Sequence, residues 1–348
     1  MTTDAADPTA DAPLTVSVAL CTHNGSAYVA EQVRSILAQR PAPMEIVVGD
    51  DASSDDTVAV IENTFAVARA ADPALDVALR ILRRAEPLGV VANFAATLSE
   101  CRGDLIALSD QDDIWDAAKL ARVVPQFAAE SSLLLVHTDA RLVDAAGTSL
   151  GLGLLDALEA TPGERAGLES GDAFAVLMRR NLVTGATVVL RRSLVERAAP
   201  FPKVWVHDEW LAVIAAALGE LRLDPAQLID YRQHGANQIG ARKPTTADRM
   251  RKLRETRTER AARLIERSRL LVERLEALGA PAARVAAARG KLAHETTRSR
   301  LPRLRLARIP GVLAGALSRR YARYSRGSID ILRDLVQPAG PRQAGGES

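Results

Sequence analysis

Four short runs of apolar and β-branched residues, "VSVALC" (16–21), "EIVVGD" (45–50), "VALRIL" (77–82) and "DLIALSD" (104–110), alternate with three segments whose apolar residues recur at helical spacing. No other feature limits the fold of this chain as strongly. A strand, an amphipathic helix and a second apolar strand close a right-handed crossover, and repeating that unit builds a parallel sheet with helices on both faces. The helical segments are 27–39, stopped by Pro41 and Pro43; 55–71, with Ser53, Ser54 or Asp55 as its cap; and 89–101. The predicted class is α/β, with a mostly parallel sheet flanked by helices.

Ligands of such sheets bind beyond the carboxyl ends of the strands. Three polar clusters stand at those ends: "THN" (22–24), "GDDASSDD" (49–56) and "SDQDD" (109–113). They are expected to converge on one site. Asp110, Asp112 and Asp113 fall within four positions, where like charges repel and folding gains nothing from them. An Asp-x-Asp at a strand end offers side-by-side carboxylates to Mg²⁺ or Mn²⁺, cations that hold diphosphates and keep open positions for them. Alone, the pattern reads as a turn and helix cap; the two neighbouring clusters favour the site. Asp50 and Asp51 can accept hydrogen bonds from a base N–H or from ribose hydroxyls. Thr22 and Asn24 offer further polar contacts, and Gly25 permits close backbone approach. His23 is a lone histidine that reads equally well as a turn residue.

Beyond residue 130 the rhythm loosens. Residues 133–144 read as one strand or two joined by a bend, and 146–168 as an irregular, Gly-rich, mobile loop. Residues 184–192 read as a strand, 207–219 as a helix, and "LRLD" and "QLIDYRQH" as short strands. From Thr245 a strongly charged segment carries a helical stripe of apolar residues ending at Gly279 and Pro281. A second helix, 282–297, and a basic, Pro-interrupted end follow.

Charge separates the two parts. Of 45 Lys and Arg residues 26 lie from Arg242 onward, against 10 of the 43 Asp and Glu. An acidic body with a basic appendage points to an anionic surface partner. The basic helices have two readings: a contact with anionic lipid headgroups, where "IPGVLAGALSRRYARY" sets apolar residues beside Arg319, Arg320 and Arg323, or a helical pair packed on the body or on another subunit of a homo-oligomer. Aromatic stacking residues are nearly absent, so nucleic acid is not expected as a partner. Cys21 and Cys101 are too few for a disulfide framework and read as buried thiols. The acidic start has no hydrophobic segment, and no run approaches the roughly 18 apolar residues of a membrane span. The expected location is cytoplasmic, peripheral on the inner face of the plasma membrane if the tail meets lipid. The expected organisation is a disordered leader 1–14, a catalytic α/β domain 15–240, a basic helical region 241–337 and a disordered tail 338–348.

"VSVALCTHNGSAYVAEQVRSIL", "EIVVGDDASSDDT", "LGVVANFAATLSECRGDLIALSDQDDIW", "NLVTGATVVL", "HDEW" and "YRQHGANQIG" follow one another in the order seen in family-2 glycosyltransferases. The chain resembles their rhamnosyltransferase-like branch over residues 15–240. The resemblance implies a GT-A type, Rossmann-like fold, a divalent metal (Mn²⁺ or Mg²⁺) and inverting transfer from a nucleotide-sugar donor. The donor it suggests is a dTDP- or UDP-sugar, with L-rhamnose from dTDP-rhamnose as the specific expectation. The acceptor would be a cell-surface polysaccharide or a lipid-linked glycan. Carried over by position, Thr22, Asn24, Asp50 and Asp51 line the nucleoside pocket, with Arg84, Asp110 and Gln111 also on the donor. Asp110, Asp112 and His234 hold the metal, Arg232 and Asn237 are lesser diphosphate contacts, and Thr184, Gly185 and Trp210 border the acceptor. Asp208 is the general base, with neighbouring Glu209 as the alternative. Arg84 and Glu209 depart from the residues common at those positions. Two other readings stand beside this one: a sugar nucleotidyltransferase, whose basic, Gly-rich triphosphate loop is missing from "CTHNGSAY", and a non-catalytic nucleotide-sugar binder with an assembly tail. P-loop and dinucleotide motifs are absent, which removes NTPase and dehydrogenase readings.

Overall fold

The computed structural model describes residues 13–234 and 257–338. The alternating pattern folds as expected: β1 (Val16–Thr22), α1 (Val29–Leu37), β2 (Glu45–Asp50), α2 (Thr57–Ala71), β3 (Ala78–Arg83), α3 (Val90–Glu100) and β4 (Leu105–Asp110). The first four strands pair in parallel, in the order β3-β2-β1-β4. Their side chains divide by parity. Val18, Leu20, Ile46, Val48, Leu105 and Ala107 join the core under α1 and α2, whereas Ala19, Cys21, Val47, Ile106 and Leu108 join the core under α3. Both faces are covered, which is why these strands are apolar throughout rather than alternating. Both thiols are buried and unpaired.

The second half extends the same sheet. β5 (Ile114–Trp115) and α4 (Lys119–Ala129) lead to β6 (Leu133–Val143), β7 (Ser149–Gly153), α5 (Leu154–Ala157), α6 (Pro162–Glu169) and α7 (Ala173–Leu177). A 3₁₀ turn at Gly185–Thr187 precedes β8 (Val188–Arg191), α8 (Arg192–Ala198), α9 (His207–Leu218) and β9 (Glu220–Arg232). Among the described residues one nine-stranded sheet runs β3-β2-β1-β4-β8-β6-β9-β5, with β7 on β6. β8 is antiparallel to β4 and β6, whereas β6 and β9 are parallel.

Three expectations need correction. Residues 146–168 are ordered: β7 pairs with the far end of β6, and α6 opens on a capping box between Thr161 and Glu164 with Pro162 in its first turn. The signal "TPGE" was legible as a helix start. "LRLD" and "QLIDYRQH" form one strand, because Pro225 falls where the β6–β9 register skips and a missing N–H costs no ladder bond. Residues 184–192 begin as a 3₁₀ turn, and the strand itself is shorter.

The C-terminal helices are α10 (Arg257–Ala277), α11 (Ala282–Ser299), α12 (Ile309–Leu317), α13 (Arg320–Tyr324) and α14 (Ser328–Val336). Leu271, Val272 and Leu275 of α10 join the core shared by α3 and α9. The domain boundary expected at 240/241 and Asn237 lie outside the described residues. No helix among the described residues is long and apolar enough to cross a membrane.

Candidate functional site

The register of the parallel strands sets Thr22 opposite Asp50 and Cys21 opposite Asp110. Strands lie about 4.8 Å apart, so the polar clusters form a row along one end of the sheet. Beyond that end is a cavity of about 580 Å³ lined by Thr22, Asn24, Asp51, Asp110, Gln111, Asp112, Thr184, Gly185, Asp208 and His234. Ten of the residues expected from sequence are thus brought together from six separate segments.

On the β1 side the loop is held rigidly. Thr22 donates to Asp50 Oδ1 at 2.8 Å, and Asp50 also accepts from the Ser53 amide and hydroxyl. Asp50 is spent on the loop and does not line the cavity. Asp51 does, and its two oxygens accept from the amides of Leu88 and Gly89 at 2.6 and 2.9 Å. Asn24, at φ 49°, accepts from the Ser54 amide. Gln111 clamps His23, accepting from its N–H and donating to its carbonyl. A Cβ on Gly25 would clash with the Gln111 side-chain amide, so any larger residue there would displace the clamp. Arg84 lies outside the cavity; its backbone N–H bonds the Asp50 carbonyl, while Nε is buried without a partner.

The acidic turn divides its charges. Asp110 and Asp112 face the cavity, while Asp113 turns inward, accepts from the Arg232 amide at 3.1 Å and leaves Oδ2 buried without a partner. Burial, with Asp112 and Asp208 nearby, raises Asp110 to about 7; burial beside Asp112 and Asp110 also pushes Asp113 well above the usual carboxylate range. The counter-charge is Lys119, fully buried, with Nζ 3.7 Å from the centroid of the Trp115 ring and donating to the Ala186 carbonyl. Burial lowers it to about 7 against the pull of Asp113 and Asp110. Nothing local in the sequence marks Lys119.

β5 pairs with β9, setting Ile114 opposite Asp230, and this carries Tyr231, Arg232 and His234 to the acidic turn. His234 Nε2 lies 2.9 Å from Asp112 Oδ2, and its ring stacks on Tyr28. Arg232 is not turned to a ligand: it bonds the carbonyls of Asp112 and Ala145 and pairs with Glu31.

The first turn of α9 supplies the opposite wall. Asp208 Oδ2 accepts from the Gly185 amide at 2.9 Å and Oδ1 from the Glu209 amide at 2.7 Å. Burial raises its carboxyl to about 6 despite those bonds. Glu209 faces away, ion-paired with Arg267 of α10 in a separate cavity. Trp210 is buried, bonds the Ala198 carbonyl at 2.8 Å and packs on Trp205, so it lies in the core and not on the cavity wall. His207 and Asn93 are among the wall residues that escaped sequence reading. His207 stacks on Phe94 with centroids 3.9 Å apart, and neither of its ring nitrogens has a partner. Asn93 Oδ1 is likewise buried and unpartnered. Burial keeps His207 neutral, down at about 3.

The donor set suits a divalent cation. Asp110 and Asp112 bring oxygen atoms to one wall, and His234 adds an imidazole. Among the described residues no three such side chains are already drawn together around one point.

The family model described as glycosyl transferase family 2 matches residues 17–166. An uncharacterized glycosyltransferase of Nostoc sp. is 26% identical over 232 residues, 64% of this chain and 66% of that protein. The dTDP-rhamnosyl transferase RfbG of Shigella flexneri is 28% identical over 109 residues, 30% of this chain and 35% of RfbG. The chain therefore matches less than two thirds of the length of either relative. Among solved structures, S. aureus TarS 1–349 with UDP-GlcNAc overlays with a TM-score of 0.56 at 14% identity, covering 92% of this chain and 90% of that one. The mannosyltransferase PcManGT of Pyrobaculum calidifontis, with GDP-Man and Mn²⁺, overlays with a TM-score of 0.50 at 19% identity, covering 90% and 78%. At these identities the overlays establish the GT-A fold.

Proposed function

The chain carries a domain of glycosyl transferase family 2, and on that premise we propose that it is a metal-dependent, inverting glycosyltransferase acting on a nucleotide-sugar donor. The observation that carries this reading is one cavity in which Asp110, Asp112 and Asp208, from β4, the turn after it and α9, face the same space. The basic groups near them differ: the buried Lys119 opposes Asp110, His234 meets Asp112, and Arg267 acts on Asp208. The donor we propose is dTDP-rhamnose, supported by the ordered motifs and by the similarity to RfbG. The acceptor we propose is a cell-surface polysaccharide or lipid-linked glycan.

In this mechanism Thr22, Asn24 and Asp51 hold the nucleoside, and the Thr184–Gly185 turn borders the acceptor. Asp208 takes the proton of the acceptor hydroxyl as its oxygen attacks the anomeric carbon from the face opposite the diphosphate. Its two backbone hydrogen bonds fix the carboxylate, and burial brings it closer to the operating pH, where a general base works best. Mn²⁺ or Mg²⁺, held by Asp110 and Asp112 with His234, would supply Lewis-acid stabilisation of the departing diphosphate. Glu209, engaged by Arg267, is the weaker candidate for the base.

The test is thermal unfolding with dTDP, UDP and GDP, each with and without Mn²⁺. One nucleotide should raise the midpoint by several degrees in a Mn²⁺-dependent manner, since ligand at 100 times Kd contributes about 2.7 kcal/mol. Absence of any shift in folded protein would overturn this reading, and a shift with no consumption of donor in the presence of acceptor would return the chain to the non-catalytic binder.

A second expectation concerns His207, which lines the cavity and whose two ring nitrogens are buried without a partner. His207→Phe keeps the stack on Phe94 and removes buried polar atoms, so the thermal midpoint should hold or rise. Donor KM should rise by about tenfold if the imidazole bonds the sugar. An unchanged KM would make His207 a packing residue.

A further inference from the structure

Helix α12 is built inside out. Its inner face is made of small residues: a Cβ on Gly311 would meet Leu301 Cδ2 at 2.8 Å, and one on Gly315 would meet Tyr321 Cε2 at 2.8 Å. Val312 and Ala316 complete that inner face. Its large side chains, Ile309, Leu313 and Leu317, recur every four residues along the opposite face and point to solvent. Leu313 is 55% and Leu317 84% exposed, and the preceding Leu304 and Leu306 are 77% and 81% exposed. A water-facing helix shows the reverse pattern.

The orientation is locked from below. Arg298 makes a two-pronged ion pair with Asp334 of α14 at 2.7 and 2.9 Å, and the Tyr321 hydroxyl donates to the same carboxylate at 2.6 Å. Rotating α12 to bury its leucines would drive them into Leu301 and Tyr321. The charge around the stripe has one sign: from Thr296 to Ile329 the chain has nine arginines and no acidic residue. Arg303, Arg305, Arg319, Arg320 and Arg323 are exposed.

We propose that the outer face of α12, with Leu304 and Leu306, docks this protein onto an anionic lipid bilayer surface. Exposed leucines enter the boundary between headgroups and acyl chains while the flanking arginines meet lipid phosphates. A second copy of the chain is the poorer occupant, because a two-fold contact through this face would set arginine against arginine. The proposal is independent of the glycosyltransferase reading.

Sedimentation of the whole chain with vesicles tests it, comparing phosphatidylcholine alone with equal parts phosphatidylcholine and phosphatidylglycerol. Binding should be at least about tenfold tighter to the anionic vesicles and should weaken as salt is raised. Leu313→Glu with Leu317→Glu should reduce it by about tenfold or more, and Arg319→Gln with Arg320→Gln should reduce it and flatten the salt dependence. All four positions are exposed, so an unchanged thermal midpoint verifies the fold. No binding of folded protein to anionic vesicles, or binding indifferent to the leucine pair, overturns the proposal. So does a lipid-free dimer that the leucine pair converts to monomer, which would assign the face to a second copy.

Discussion

Asp208→Asn should lower the rate of sugar transfer by about a hundred- to ten-thousandfold, the range a positioned general base contributes, while nucleotide binding and the thermal midpoint are retained. Asparagine preserves the shape and one of the two oxygens that accept from the Gly185 and Glu209 amides. Stability should not fall, because the folded state raises the Asp208 carboxyl to about 6, which means that burial works against its charged form. A group whose folded pKa is raised costs stability once ionised, and the amide removes that cost.

The same shift sets a pH dependence. A protonated carboxyl cannot take the acceptor proton, so kcat/KM should fall as pH drops through about 6 and level off above it. The residual activity of Asp208→Asn should lack that limb. Glu209→Gln provides the contrast: it loosens the ion pair with Arg267 and should act on the seating of α10 rather than on the chemistry. Transfer within tenfold of wild type in Asp208→Asn would move the base elsewhere.

Asp112→Asn is the second large effect, and its two readouts have opposite signs. Asp112 lies 2.9 Å from His234 Nε2, and its charge is among the causes that raise Asp110 and Asp113. Without metal, removing it relieves repulsion in the acidic turn, so the midpoint should hold or rise. The Mn²⁺-dependent part of the nucleotide shift should vanish, and transfer should fall about a thousandfold, matching the several kcal/mol a Lewis acid supplies. A turn that served only as a helix cap would instead lose stability and keep the shift. Persistence of the Mn²⁺-dependent shift in Asp112→Asn would remove Asp112 from the metal site.

Sequence alone determined the β1–β4 half of the sheet and the convergence of its strand ends, because both follow from local rules. A period of two or 3.6, a right-handed crossover and the chemistry of adjacent carboxylates each act within a few tens of residues. That is why Thr22, Asp51, Asp110 and Asp112 were legible as neighbours before any coordinates. Only tertiary structure decided which residues of "HDEW" meet the cavity: the first turn of α9 sends Asp208 to one side and Glu209 to Arg267 on the other, while Trp210 sinks into the core. It also decided that Asp50 is spent on its own loop, that Arg232 braces the acidic turn, and that Lys119 lies beneath it. These outcomes depend on pairings between separate segments, from Thr22 with Asp50 to β5 with β9, where a side chain's role is set by what the fold brings against it. The outward stripe of α12 has the same origin: its spacing is visible in the sequence, but which face meets solvent follows from where glycine lets the helix pack.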